Sequence, residues 1–129
     1  MSYDENAILD IIEKVSKTAV NMSTIKLVHN FFYQAVPIGG MGSGTIIDSE
    51  GLILTNNHVV GGAQKINVTL TDNEVLEGTI IGSCAIHDIA VVKINPDGRK
   101  LPAAELGDSD KLRVGQRVYA IGNPGISNP

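Results

Sequence analysis

Cysteine is nearly absent from this 129-residue chain: the single Cys84 excludes an internal disulfide framework, so stability must come from packing. No apolar run approaches the ~18 residues that a membrane span requires. Met1–Asp10 lacks the basic-then-apolar order of a secretory signal, and the residues given read as those of a soluble chain whose compartment they do not specify. Lys and Arg are nowhere clustered, and the formal charge of −4 at a sequence pI of about 5.2 argues against a nucleic-acid partner. Repeats, low-complexity stretches and linkers are missing too, so one domain is expected. With 43% hydrophobic and 19% charged residues the composition is that of a globular protein. A chain of this length buries a genuine core, roughly two-thirds of its unfolded surface.

One segment has helical periodicity. Ile8, Ile11, Ile12 and Val15 fall at i, i+3, i+4 and i+7, and Asp4 and Glu5 suit the positive end of a helix over residues 5–16. Beyond Lys17 the pattern turns to short β-rich runs: 19–23, 26–36, 44–48, 52–55, 65–70, 75–81, 89–94 and 117–121. Turn chemistry separates several of them. Asp48-Ser49-Glu50-Gly51 and Asn95-Pro96-Asp97-Gly98 place Gly last, and Thr71-Asp72-Asn73-Glu74 reads as a hairpin tip. Strands so spaced, without long helices between them, predict an all-β antiparallel barrel over 18–129 preceded by a helix within 1–17. Val20, Ile46, Leu54, Ile66, Val68, Leu70, Ile80, Val91 and Val118 are expected to point inward.

Two segments carry chemistry. Leu52-Ile53-Leu54-Thr55-Asn56-Asn57-His58-Val59-Val60-Gly61 reads as a buried strand followed by a tight turn bearing a histidine. His87-Asp88-Ile89-Ala90-Val91-Val92-Lys93-Ile94 places an aspartate at the mouth of an apolar strand. An unpaired carboxylate there is costly, and a histidine is its natural partner. The carboxylate would accept from one ring nitrogen and leave the other as a general base. Alone, His58 reads as a structural or surface histidine and Asp88 as a turn residue. Together, thirty residues apart and in this order, they resemble the histidine and aspartate motifs of chymotrypsin-fold proteases.

The surrounding text is similar to the HtrA/DegP serine proteases over about residues 15–124. Gly42-Ser43-Gly44-Thr45-Ile46-Ile47-Asp48 looks like that family's opening strand, and the His58 segment is nearly its histidine motif. Leu106-Gly107-Asp108-Ser109-Asp110, Val114-Gly115 and Ala120-Ile121-Gly122-Asn123-Pro124 also match. The resemblance implies the first Greek-key barrel of a two-barrel fold, with His58 as general base and Asp88 as its orienting acid. It implies no cofactor and no metal, and polypeptide substrates that are unfolded or damaged. The family's serine should follow Asp88 by ~70–80 residues, which places it, the second barrel and the PDZ module outside residues 1–129. The chain alone is therefore expected to be inactive and to self-associate through the face that the second barrel would cover. A non-catalytic binding or regulatory barrel is the alternative, and codons beyond 129 discriminate the two. Residues 26–39 match no pattern of the family, and His87 stands where a small polar residue is more usual.

Other candidates read as bland. Ser109 lacks the following Gly-Gly that shapes an oxyanion cradle, so Ser109 or Asp110 is expected to cap a short turn to Leu112. Ser43 reads as a strand residue between glycines. Cys84 is expected to be a small buried hydrophobe rather than a nucleophile. Cys84, His87, Asp88 and His58 match no common zinc spacing. His29 is expected to be an ordinary strand residue.

Overall fold

In the computed structural model of the protein, residues 4–123 are described. Helix α1 spans Glu5–Ser16, with the Asp4 carboxylate accepting the Ala7 N–H at 3.2 Å as its N-cap. Six strands follow: β1 (Ala19–His29), β2 (Ala35–Asp48), β3 (Leu52–Thr55), β4 (Ala63–Thr69), β5 (Val75–Cys84) and β6 (Ile89–Lys93), with a one-turn helix α2 (Asn57–Val60) after β3. They close into an antiparallel barrel in the order β1-β2-β3-β6-β5-β4, the seam being β1 against β4. The expected all-β barrel with an N-terminal helix is thus the observed fold.

The strands differ from expectation in three places. Residues 24–25 do not interrupt β1, because Thr24 and Ile25 pair with β2 on one side and with Ile66 and Lys65 of β4 on the other. The run expected over 26–36 is two strands and a loop: β1 and β2 continue past the barrel as a two-stranded ribbon that turns at Phe31–Tyr33. Residues 117–121 form no strand, and the barrel closes among β1–β6 without them. The end of the chain, predicted to be loop, lies outside the described residues beyond Asn123.

Val20, Met22, Ile46, Ile53, Val60, Ile66, Val68, Leu70, Ala90, Val92, Ile94 and Leu101 form the core. In β3 and β6 the inward phase is opposite to the one expected: Ile53, Ala90 and Val92 are buried, whereas Leu54 and Val91 are only partly so. In strands apolar on both faces the alternation carries no phase information. Bulges at Ile46/Asp48 and Ile80/Gly82 also shift the register of the partner strands. Val118 lies 74% exposed outside the barrel. Ile53→Ala is expected to cost about 2–5 kcal/mol in urea unfolding, as deletion of a fully buried isoleucine does, and Leu54→Ala distinctly less. Equal losses would contradict this phase.

Gly51, closing the β2–β3 turn, has φ +107°, and its N–H and C=O bond Asp48 O at 3.0 Å and Ile94 N at 2.9 Å. A Cβ here would collide with the Ile94 carbonyl. After β6 the chain runs back over the barrel: Leu101 N–H donates to Ser49 O, Ala104 N–H to Ile46 O, and Asn123 N–H to the Ser43 hydroxyl at 2.8 Å. No helix of the described chain is long and apolar enough to cross a membrane.

Candidate active site

Pairing of Leu52–Thr55 with Ala90–Lys93 sets the two motif turns at the same end of adjacent strands, since Thr55 lies opposite Ala90. Three residues beyond Thr55 is His58, and two before Ala90 is Asp88. Helix α2 turns immediately after β3, and Val59 packs where a Cβ on Gly42 would stand, only 2.8 Å from its methyl groups. A glycine at 42 therefore lets the histidine turn settle onto β2.

The side chains of His58 and Asp88 meet. His58 Nδ1 lies 2.6 Å from Asp88 Oδ2, and His58 N–H donates to Asp88 Oδ1 at 2.7 Å. Both carboxylate oxygens are thus engaged by one residue. The second bond satisfies an N–H in the first turn of α2, which has no side-chain cap of its own. Asn56, at the N-cap position, spends its carboxamide elsewhere, donating to Asp88 O at 3.0 Å. That bond fixes Asp88 in a left-handed conformation (φ 54°), which aspartate tolerates better than most residues. Lys26 Nζ donates to His58 O at 3.1 Å, bracing the turn from β1. Neither Asn56 nor Lys26 was singled out in the sequence. Asn56 lies inside the histidine motif, where its spacing gave a signal; Lys26 gave none, because its approach depends on the ribbon.

The His58 backbone N–H, and then its imidazole, hold the Asp88 carboxyl below the ordinary carboxylate range. A lowered folded-state value means that Asp88 stabilises the fold fully above about pH 4 and loses this contribution as pH falls through the lowered value. A carbon-detected NMR titration is expected to give Asp88 a midpoint below that of free aspartate; an equal or higher midpoint would contradict the contact. Because a carboxylate only accepts, Nδ1 carries the proton and Nε2 is left with its lone pair. The pair is open to solvent, with side chains 70% and 43% exposed. Among the described residues no serine hydroxyl is hydrogen-bonded to His58.

The remaining candidates sit apart. Cys84, expected to be buried, is exposed at the end of β5 and lies 3.3 Å from His87 Nδ1. Ala85 and Ile86, which follow it, belong to a turn between β5 and β6, with Ile86 itself exposed. Asp108, not Ser109 or Asp110, caps the 3-10 turn at Ser109–Lys111, accepting the Asp110 N–H at 3.0 Å. Ser43 lies within β2 and accepts from Asn123, and His29 ends β1. Among the described residues no three His, Cys, Asp or Glu side chains converge as a metal centre would need.

The family model for the trypsin-like peptidase domain matches residues 42–129. The serine protease HhoA of Synechocystis sp. is 52% identical over 92 residues, covering 70% of this chain and 23% of that protein. Serine protease HTRA1 of Xenopus laevis is 39% identical over 122 residues, covering 95% and 26%. Among solved structures, an HtrA-type protease with a bound decapeptide superposes at a TM-score of 0.77 and 31% identity, covering 83% of this chain and 37% of that one. The chain spans about a quarter of the length of these curated relatives. It belongs to the trypsin-like peptidase domain family and, within that family, corresponds to the N-terminal part of the protease domain of the HtrA/DegP serine proteases.

Proposed function

We propose that this chain supplies the general base and the orienting acid of an HtrA-type serine endopeptidase acting on unfolded or damaged polypeptides. The observation that carries this is the doubly bonded His58–Asp88 pair. Asp88 keeps the proton on Nδ1 and so directs the basic Nε2 outward, where a serine hydroxyl could deliver its proton as it attacks a peptide carbonyl. Nε2 then returns that proton to the leaving amine, and water completes the second half of the acyl transfer. The serine, the oxyanion donors and the specificity pocket are assigned to a second barrel beyond these 129 residues. The polypeptide substrate is proposed from the peptide-bound HtrA-type neighbour.

A chimera tests this reading: residues 17–123 of this chain replace the corresponding stretch of the DegP-like serine endoprotease of Pseudomonas putida. The chimera is expected to cleave casein, and the isolated chain to show no turnover above buffer. A folded chimera that binds peptide without cleaving it would favour the binding-module alternative. Measurable cleavage by the isolated chain, abolished by His58→Ala, would place the nucleophile within it. Self-association is proposed through the dyad-bearing face that a second barrel would cover. A sedimentation profile that stays monomeric at high concentration would remove that part of the reading.

A further inference from the structure

The ribbon formed by the outer halves of β1 and β2 has no part in the dyad beyond the Lys26 contact. The chain has five aromatic residues, and three of them stand consecutively at its tip: Phe31, Phe32 and Tyr33 are 90%, 74% and 87% exposed. Below the tip, Leu27 and Pro37 pair on one side of the ribbon, while Val28 and Val36 pair on the other, and Leu27, Val28, Val36 and Ile38 are all exposed. An apolar surface on both faces of a thin ribbon suits a medium that surrounds it, whereas a protein groove would cover one face.

Charge points the same way. All fourteen carboxylate side chains of this acidic chain lie outside residues 14–47, and the ribbon carries only Lys26 and His29. The loop also satisfies four of its own backbone N–H groups. Asn30 Oδ1 accepts the N–H groups of Phe32 and Gln34 at 2.8 and 3.0 Å, Asn30 O accepts that of Tyr33 at 3.0 Å, and Gln34 O accepts that of Asn30 at 3.0 Å. These N–H groups need no water, which lowers the cost of approaching an apolar medium. Tyr33 has φ 58°, a conformation in which glycine or asparagine would be relaxed and a bulky ring is strained. An aromatic side chain held there against that strain, beside the edge-to-face Phe31–Phe32 pair with ring centroids 5.5 Å apart, marks the tip as a binding element.

The geometry points to the β1–β2 ribbon as a peripheral membrane anchor, whose Phe31, Phe32 and Tyr33 enter the headgroup boundary of a lipid bilayer. Aromatic side chains favour that boundary because it accommodates both an apolar ring and a polar edge or hydroxyl. Three strand steps of β1, from Lys26 to His29, and the tip loop lie between, so the dyad turn would be held at least about 10 Å above the lipid surface.

The test uses the 129-residue chain and vesicles of phosphatidylcholine with about one-third phosphatidylglycerol, an anionic surface that a ribbon free of carboxylates can approach. The chain is expected to co-sediment with the vesicles, and the combined substitution Phe31→Ser, Phe32→Ser, Tyr33→Ser to lower partitioning at least about tenfold with an unchanged circular dichroism spectrum. Because the chain has no tryptophan, Phe32→Trp provides a second reading that does not depend on the triple variant folding. The indole emission of this variant is expected to shift to the blue and to be quenched by lipids brominated near the headgroup. Any of three results would overturn the proposal: no co-sedimentation of the unsubstituted chain, co-sedimentation undiminished by the triple substitution, or an emission of the Phe32→Trp variant unmoved by vesicles. Self-association that the triple substitution abolishes, without vesicle binding, would instead make the tip a protein contact. Catalysis enters none of these measurements, so they stand apart from the proteolytic reading.

Discussion

In the chimera proposed above, Asp88→Asn lowers kcat by about four orders of magnitude and leaves KM within severalfold. The cause is the direction of one hydrogen bond. Asp88 Oδ2 can only accept, so the 2.6 Å contact places the proton on His58 Nδ1. Asparagine fits the same space but can turn its NH2 group toward Nδ1. The ring then holds its proton on Nε2, where the base should be, and faces the serine with a donor. Oδ1 meanwhile needs to accept the His58 N–H, which favours placing the asparagine oxygen there and the amide nitrogen toward the ring. Substrate binding is remote from this change. His58→Ala should cost as much or more, since no other base stands in its place. A loss of less than about tenfold for Asp88→Asn would remove Asp88 from the orienting role.

Gly51→Ala is expected to destabilise the barrel by about 3 kcal/mol or more in urea unfolding, enough to leave a marginal domain largely unfolded. Two effects coincide at this residue. Its φ of +107° is outside the range comfortable for an L side chain, and the added carbon would press on the Ile94 carbonyl. The neighbouring backbone has little freedom to move away, because Gly51 O accepts from Ile94 N and Ile94 is fully buried. Gly98 is the control: its φ is also positive, at 82°, but a Cβ there would meet nothing within 4 Å. Gly98→Ala should therefore lose only the conformational part, about 1 kcal/mol. Equal losses at the two positions would show that the Ile94 contact contributes nothing.

The sequence made the fold class legible because its turns carry their own chemistry. Asp48, Asp72 and Asn95 each accept the backbone N–H two residues on, as side chains at turn starts do. The dyad was legible as a conjunction of two motifs, although each residue alone read as ordinary. What stayed hidden depends on pairing between distant strands. In 26–36, a dense run of β-formers masked a loop in which Asn30, rather than glycine or proline, supplies the turn. The phase of β3 and β6 was ambiguous because Leu52–Leu54 and Ile89–Val92 are apolar on every residue. Cys84 has apolar neighbours in sequence but ends a strand in an exposed turn, and composition does not report which side of a strand end faces water. The segment 117–121 has strand-like residues but pairs with no strand, and residue type alone does not report whether a pairing forms.

The β3–β6 ladder has a consequence for when the dyad can exist. His58 and Asp88 are thirty residues apart in the chain, and bringing the ends of such a loop together costs about 3 kcal/mol in chain entropy. Nothing local repays this; the pairing of Leu52–Thr55 with Ala90–Lys93 does. A slip by one residue along that ladder would turn every side chain of one strand to the opposite face and carry Asp88 away from the histidine turn. An unfolded or misregistered chain thus has a histidine and an aspartate but no oriented base. The oriented imidazole is in this way conditional on the barrel's having folded in register.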